Sequence, residues 1–131
     1  MLVFTICIKP NQKLHGVRDW NEIFRVNKNY TVLRVRKNKK LLGQVAIDFV
    51  EDEAWIYFLA VNPGKRGNGI GTRLMKKAEK FIKRTGIKYI FLRPQKDFET
   101  KLVPWYEELG YERLYRDESC RNEWLMLKAL K

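Results

Sequence analysis

At 131 residues with 45% hydrophobic side chains, the chain has material for one packed core and too little length for two, so a single domain over residues 1–131 is expected and disorder is not. Its net charge of +12 favours phosphate-bearing ligands, nucleic acid or acidic protein surfaces and disfavours polycations such as polyamines, although a generally basic solvated surface explains it equally well. One histidine, His15, and two distant cysteines, Cys7 and Cys120, without C-x-x-C spacing argue against a zinc centre and fit free thiols in a reducing, cytoplasmic setting.

The opening MLVFTICIKP has an apolar run but neither the basic region nor the cleavage site of a signal peptide, and no stretch is long enough to span a bilayer; it reads as a first strand. Residues 11–29 are weakly patterned, with one short helix expected around Asp19 to Phe24. Residues 30–61 read as a meander of YTVLRVR, LLGQVAIDFV and AWIYFLAV, joined by the polar turns KNKK and EDE. In the first, Val32, Arg34 and Arg36 alternate with Leu33 and Val35, predicting a half-exposed strand; the third is continuously apolar and predicts a central strand covered on both faces.

From Ile70 the apolar residues Leu74, Ala78, Phe81 and Ile82 follow at helical spacing, with lysines mostly off the stripe and Gly86 as the stop. IKYIFLRP then predicts a short buried strand. DFETKLVPWYEELGY predicts a helix that either begins near Pro104 or breaks there and ends at Gly110. YERLY and NEWLMLKAL predict a closing strand pair.

The segment VNPGKRGNGIGT, between a strand and a helix, delivers several backbone N–H groups beside the positive end of the helix dipole. That is an anion cradle, although tight-turn sterics accounts for such glycines as readily. It is not a Walker loop, since no Gly-Lys-Ser/Thr follows, and the dinucleotide fingerprint is missed by one position. The arrangement resembles the GNAT superfamily of acetyl-coenzyme A-dependent N-acetyltransferases. Their Arg/Gln-x-x-Gly-x-Gly/Ala signature is matched by Arg66, Gly69 and Gly71 after LAVNP, and VPWYEELGY resembles the family's later aromatic-Tyr helix.

The resemblance implies an α+β fold with a mixed, mostly antiparallel sheet flanked by helices and splayed between the fourth and fifth strands, where the thioester sits. It implies acetyl-CoA as co-substrate and direct transfer of the acetyl group to an amine. The Arg66 side chain and the amides of Gly67, Asn68, Gly69, Ile70, Gly71 and Thr72 would hold the coenzyme A pyrophosphate, and Leu59, Ala60 and Val61 would pair with the pantetheine arm. Tyr106 matches the tyrosine that protonates the departing thiolate in many members, core packing being the alternative.

The base is less plain, because Trp55 and Tyr57 stand where many relatives carry Glu or His. Glu53, acting through water, is the candidate, with a solvated turn residue as its rival; Asp48 has a similar claim, and Cys120 reads as a simple thiol. Trp55, Tyr57, Trp105 and Tyr106 suggest an aromatic wall for an apolar amine or peptide N-terminus, Trp105 being better suited to packing. The acceptor amine is unidentified, with an acidic protein or nucleic acid as further partners, no membrane, and a monomer or homodimer expected. The alternative is a non-catalytic module of the same fold that binds nucleic acid or an acidic partner through its basic surface.

Overall fold

The computed structural model describes residues 2–7, 30–62 and 69–130. The described residues form seven strands in one sheet: β1 (Val3–Cys7), β2 (Thr31–Lys37), β3 (Lys40–Val50), β4 (Glu53–Val61), β5 (Tyr89–Leu92), β6 (Glu112–Asp117) and β7 (Glu123–Ala129). Helix α1 (Ile70–Arg84) crosses from β4 to β5, and α2 (Glu99–Glu108) links β5 to β6 after a 3-10 turn at Lys96–Phe98. The strand order is β1-β2-β3-β4-β5-β7-β6, antiparallel throughout except for the parallel β4–β5 pair that the α1 crossover produces.

The helical stripe buries Leu74, Met75, Ala78 and Ile82 against the sheet, in one cluster with Val45 and Ile56. Complete burial of a Leu, Met or Ile contributes roughly 1.5–3 kcal/mol. Surface pairs on a helix contribute only about 0.2–0.5 kcal/mol, so this contact, and not the outer lysines, holds α1 in place. The approach is close. A Cβ at Gly43 of β3 would lie 2.8 Å from the Ala60 carbonyl oxygen and 2.9 Å from Leu74 Cδ1, so only glycine lets strand and helix meet there.

Three local expectations are revised. Strand β2 is buried on both faces, Val32 at 0% and Arg34 at 6% exposure, because β1 and β3 flank it and Val32 packs with Ala46, Tyr30 and Tyr57 on the second face. Strand β4 is the more open one: Ala54 and Ile56 are buried, but Trp55 and Tyr57 are half-buried and Phe58 is exposed. Helix α2 neither starts nor breaks at Pro104 but runs through it. Proline removes one N–H and crowds the carbonyl four residues back, here that of Thr100. Both residues are exposed, so that carbonyl can tilt toward water. The helix expected at residues 19–24 and most of the glycine-rich turn lie outside the described residues.

Candidate active site

β4 and β5 pair only from Glu53/Tyr89 to Trp55/Phe91, and β5 ends at Leu92, so the two strands part beyond Trp55. In the same part of β4 the pairing with β3 jumps from Ala46/Tyr57 to Gln44/Ala60, which sets Phe58 and Leu59 opposite Val45 alone. Phe58 takes a left-handed conformation, φ 53°, at this β-bulge. A non-glycine residue held there costs about 1–2 kcal/mol, and bulges of this kind re-aim backbone and side chains where a strand meets a site.

The parting strands open a cavity of about 430 Å³. Ile56–Leu59 of β4 form one wall, and Leu92–Gln95, at and beyond the end of β5, form the other. Helix α2 contributes Leu102 and Tyr106, and the β6–β7 hairpin contributes Arg121 and Glu123.

Tyr106 is set there by the way α2 ends. Leu109 closes the helix and Gly110 follows at φ 100°, a conformation glycine adopts without a Cβ penalty. The Tyr111 N–H donates to the Tyr106 carbonyl and the Gly110 N–H to the Glu107 carbonyl, both at 3.0 Å. This closure turns the Tyr111 ring edge-on to Tyr106, with centroids 5.7 Å apart. The Tyr111 hydroxyl donates to Glu79 Oε2 at 2.8 Å, while Lys128 Nζ pairs with Glu79 Oε1 at 2.8 Å, tying α1, the end of α2 and β7 together. Tyr106 is 6% exposed, and its burial raises its pKa, so the phenol stays protonated across the neutral range.

On the open face of β4, Trp55 stacks on Phe91 at 5.0 Å and the Arg93 guanidinium lies 4.8 Å above Trp55. Arg93 also pairs with Asp117 at 2.9 Å. Burial raises the pKa of Tyr57, with Tyr30 and Asp48 adding to the rise and Arg93 opposing it. Of the expected aromatic wall, Tyr57 and Tyr106 line the cavity; Trp55 stands beside it, and Trp105 packs toward α1, its ring 3.5 Å from where a Gly71 Cβ would lie.

The remaining expected residues fall into three groups. Leu59 lines the cavity, and Ala60 and Val61 continue β4 toward the start of α1, Val61 Cγ2 lying 3.6 Å from the position of a Gly71 Cβ. Gly69, at φ 72°, caps α1 without any side-chain hydrogen bond, and the first turn holds no acidic residue; Ile70, Gly71 and Thr72 follow it. Arg66, Gly67 and Asn68 lie outside the described residues. Glu53 sits at the opposite end of β4, beside its hairpin turn, and does not line the cavity; three residues of strand, about 10 Å, separate it from Ile56. Asp48 lies across from Trp55, also off the cavity wall.

The three charged cavity residues, Arg93, Arg121 and Glu123, went unread in the sequence. None has a local signal. Glu123 reaches the site because β7 inserts between β5 and β6, and that strand order is not written in the spacing of NEWLMLKAL.

The acetyltransferase (GNAT) family model matches residues 5–111. Solved structures share the fold. The ribosomal-protein-S18-alanine N-acetyltransferase of Escherichia coli superposes with a TM-score of 0.74 at 18% identity, covering 100% of this chain and 95% of that one. An IAA acetyltransferase from Bacillus cereus gives 0.78 at 15% identity, covering 99% of this chain and 100% of that one. A PaiA N-acetyltransferase from Thermoplasma acidophilum, in complex with coenzyme A, gives 0.66 at 21% identity over 76% of this chain, which spans 60% of that protein. No curated protein matches the sequence. With the family model covering most of the chain and the sheet parting where the cavity opens, the chain belongs to the GNAT acetyltransferase family.

Proposed function

We propose that the protein transfers an acetyl group from acetyl-CoA to a primary amine by direct attack in a ternary complex. The observation that carries this reading is the single path along β4. It runs from the cavity at the bulge, through Leu59–Val61, to the uncapped start of α1 at Gly69–Thr72.

The residues at both ends of this path suit the coenzyme. The first N–H groups of a helix lack intrahelical partners and, with the dipole, form an anion site. Among the described residues no side chain caps them and the first turn holds no carboxylate, so the amides of Ile70, Gly71 and Thr72, with Gly69 and the preceding Arg66, Gly67 and Asn68, would hold the pyrophosphate. Main-chain groups of Leu59, Ala60 and Val61 would take the pantetheine arm as an added strand, and an N–H at the bulge would polarise the thioester carbonyl.

The amine then attacks the carbonyl carbon, the C–S bond breaks, and Tyr106 donates to the departing sulfur. Because burial raises its pKa, Tyr106 holds its proton until negative charge develops beside it. Glu53, expected as the base, would act only through water relayed from the far end of β4. Tyr57, Phe58 and Tyr106 around the cavity favour an apolar or aromatic amine, or a peptide N-terminus. Screening thiol release from acetyl-CoA over small amines, peptides, antibiotics and polyamines tests the reading; release with at least one amine class is expected, and none across the panel would overturn it.

One observation favours a second reading. Arg73, Lys76, Lys77, Lys80, Lys83 and Arg84 all lie exposed on α1. Such a row suits an acidic partner, or nucleic acid whose binding would weaken steeply with salt.

A further inference from the structure

The acyl-transfer reading needs a group to take the proton of the attacking amine, and Glu53 lies outside the cavity. Among the described residues that line the cavity, Glu123 carries the one carboxylate. Its surroundings set it apart from the carboxylates nearby. Asp117 pairs with Arg93, Glu99 with Arg116, Glu107 with Arg113 and Glu79 with Lys128, each within 3.1 Å. Among the described residues Glu123 forms no such pair. Its Oε2 accepts the Lys96 N–H at 3.2 Å, which fixes the carboxylate over the segment that follows β5, the wall facing the β4 bulge.

A bond from a neutral backbone donor orients a carboxylate without neutralising it. The carboxylate thus keeps its charge and free lone pairs on a residue that lines the same cavity as Tyr106. Arg93, already paired with Asp117, and Arg121 also line the cavity, so Glu123 supplies the counter-charge there for an entering ammonium.

We infer that Glu123 binds the ammonium of the acceptor and takes its proton, making it the catalytic base of the acyl transfer proposed above, on which this inference rests. Glu123 accepts one proton of the ammonium and passes it to solvent, and the freed nitrogen lone pair forms the C–N bond with the carbonyl carbon. As the C–S bond breaks, the nitrogen gives its second proton to Glu123, which again passes it to solvent, and the sulfur takes the proton that Tyr106 donates and solvent restores. Acetyl-CoA and ammonium give amide, free thiol and one proton released to solvent, with no other reactant. The base comes from β7 and the acid from α2, so they approach the thioester from different walls of the cavity.

The test compares wild type, Glu123→Gln and Glu51→Gln in the thiol-release assay from pH 7 to pH 10. It uses 2-phenylethylamine as first probe and then the fastest amine of the panel. Glutamine keeps an oxygen for the Lys96 N–H and removes the proton-accepting charge. Glu123→Gln is expected to lose turnover by about 10²–10³-fold at pH 7. Its KM for acetyl-CoA should stay within about twofold, and the deficit should narrow toward pH 10, where the amine arrives already deprotonated. Glu51→Gln, exposed in the turn between β3 and β4, is expected to match wild type. Turnover of Glu123→Gln within about twofold of wild type, or a deficit equally deep at every pH, would overturn the role of Glu123 and leave the acyl-transfer reading intact. No release by the wild type with any amine would overturn both.

Discussion

The hydroxyl of Tyr106 and the missing side chain of Gly71 bracket the proposed path of the coenzyme, and each can be changed without disturbing the fold. Tyr106→Phe keeps the ring that packs against Trp105 and Tyr111, with centroids 4.9 and 5.7 Å away, and removes only the oxygen. Turnover is expected to fall by about 10²-fold, with coenzyme A affinity unchanged; steady-state kinetics beside calorimetric titration checks both. At Gly71 an added Cβ would meet Trp105 at 3.5 Å and Val61 at 3.6 Å, ordinary contact distances, and alanine favours the helix. Gly71→Ala should therefore leave the melting temperature unchanged or slightly raised and coenzyme A affinity within about twofold, since the methyl faces Trp105 and Val61 and alanine also satisfies the signature at this position. A loss of about tenfold or more would show that the coenzyme approaches α1 from the side of Trp105.

Among the elements, β3, β4 and α1 form the unit on which the site depends. Gly43→Ala would drive a methyl against the Ala60 carbonyl at 2.8 Å, and that backbone atom cannot give way as a flexible side chain could. A loss of about 1–3 kcal/mol by urea denaturation is expected, with reduced coenzyme affinity if Ala60 belongs, as proposed, to the edge that takes the pantetheine.

The hairpin between β6 and β7 is held by Asp117. The Ser119 hydroxyl, first, and then Arg93 hold its carboxyl below the usual range. A carboxyl whose folded value is depressed adds stability above its unfolded value and loses it as pH falls through the folded one. The stability gap between wild type and Asp117→Asn should accordingly be full at pH 7 and close progressively below about pH 4.

Legibility from sequence divides along similar lines. Helix α1 announces itself through the Leu74, Ala78 and Ile82 stripe, and the end of α2 through Leu109-Gly110-Tyr111, because both are set by local periodicity and a local cap. The bulge at Phe58 carries no glycine or asparagine to mark it; the sheet imposes it. The relative burial of β2 and β4 was reversed because face coverage depends on neighbours distant in sequence.

For the whole molecule, one parallel strand pair in an antiparallel sheet creates the site. Crossover α1 forces β5 to run beside β4, the two diverge after Trp55, and the gap is walled by α2 and the β6–β7 hairpin. Composition left anion binding and a basic solvated surface equally open, and the paired motifs pointed to acetyl-CoA. The carboxylate on β7 needed three dimensions, because it meets the cavity only through the order β5-β7-β6. The charge of +12 carries its own consequence. Added salt should weaken acidic partners far more than coenzyme held by directional backbone bonds.

The most direct measurement is calorimetric titration of the protein with coenzyme A, read beside its melting temperature. One-to-one binding is predicted, together with an upward thermal shift equivalent to about 2.7 kcal/mol at a hundredfold excess over Kd. No heat and no shift would contradict the account at its root.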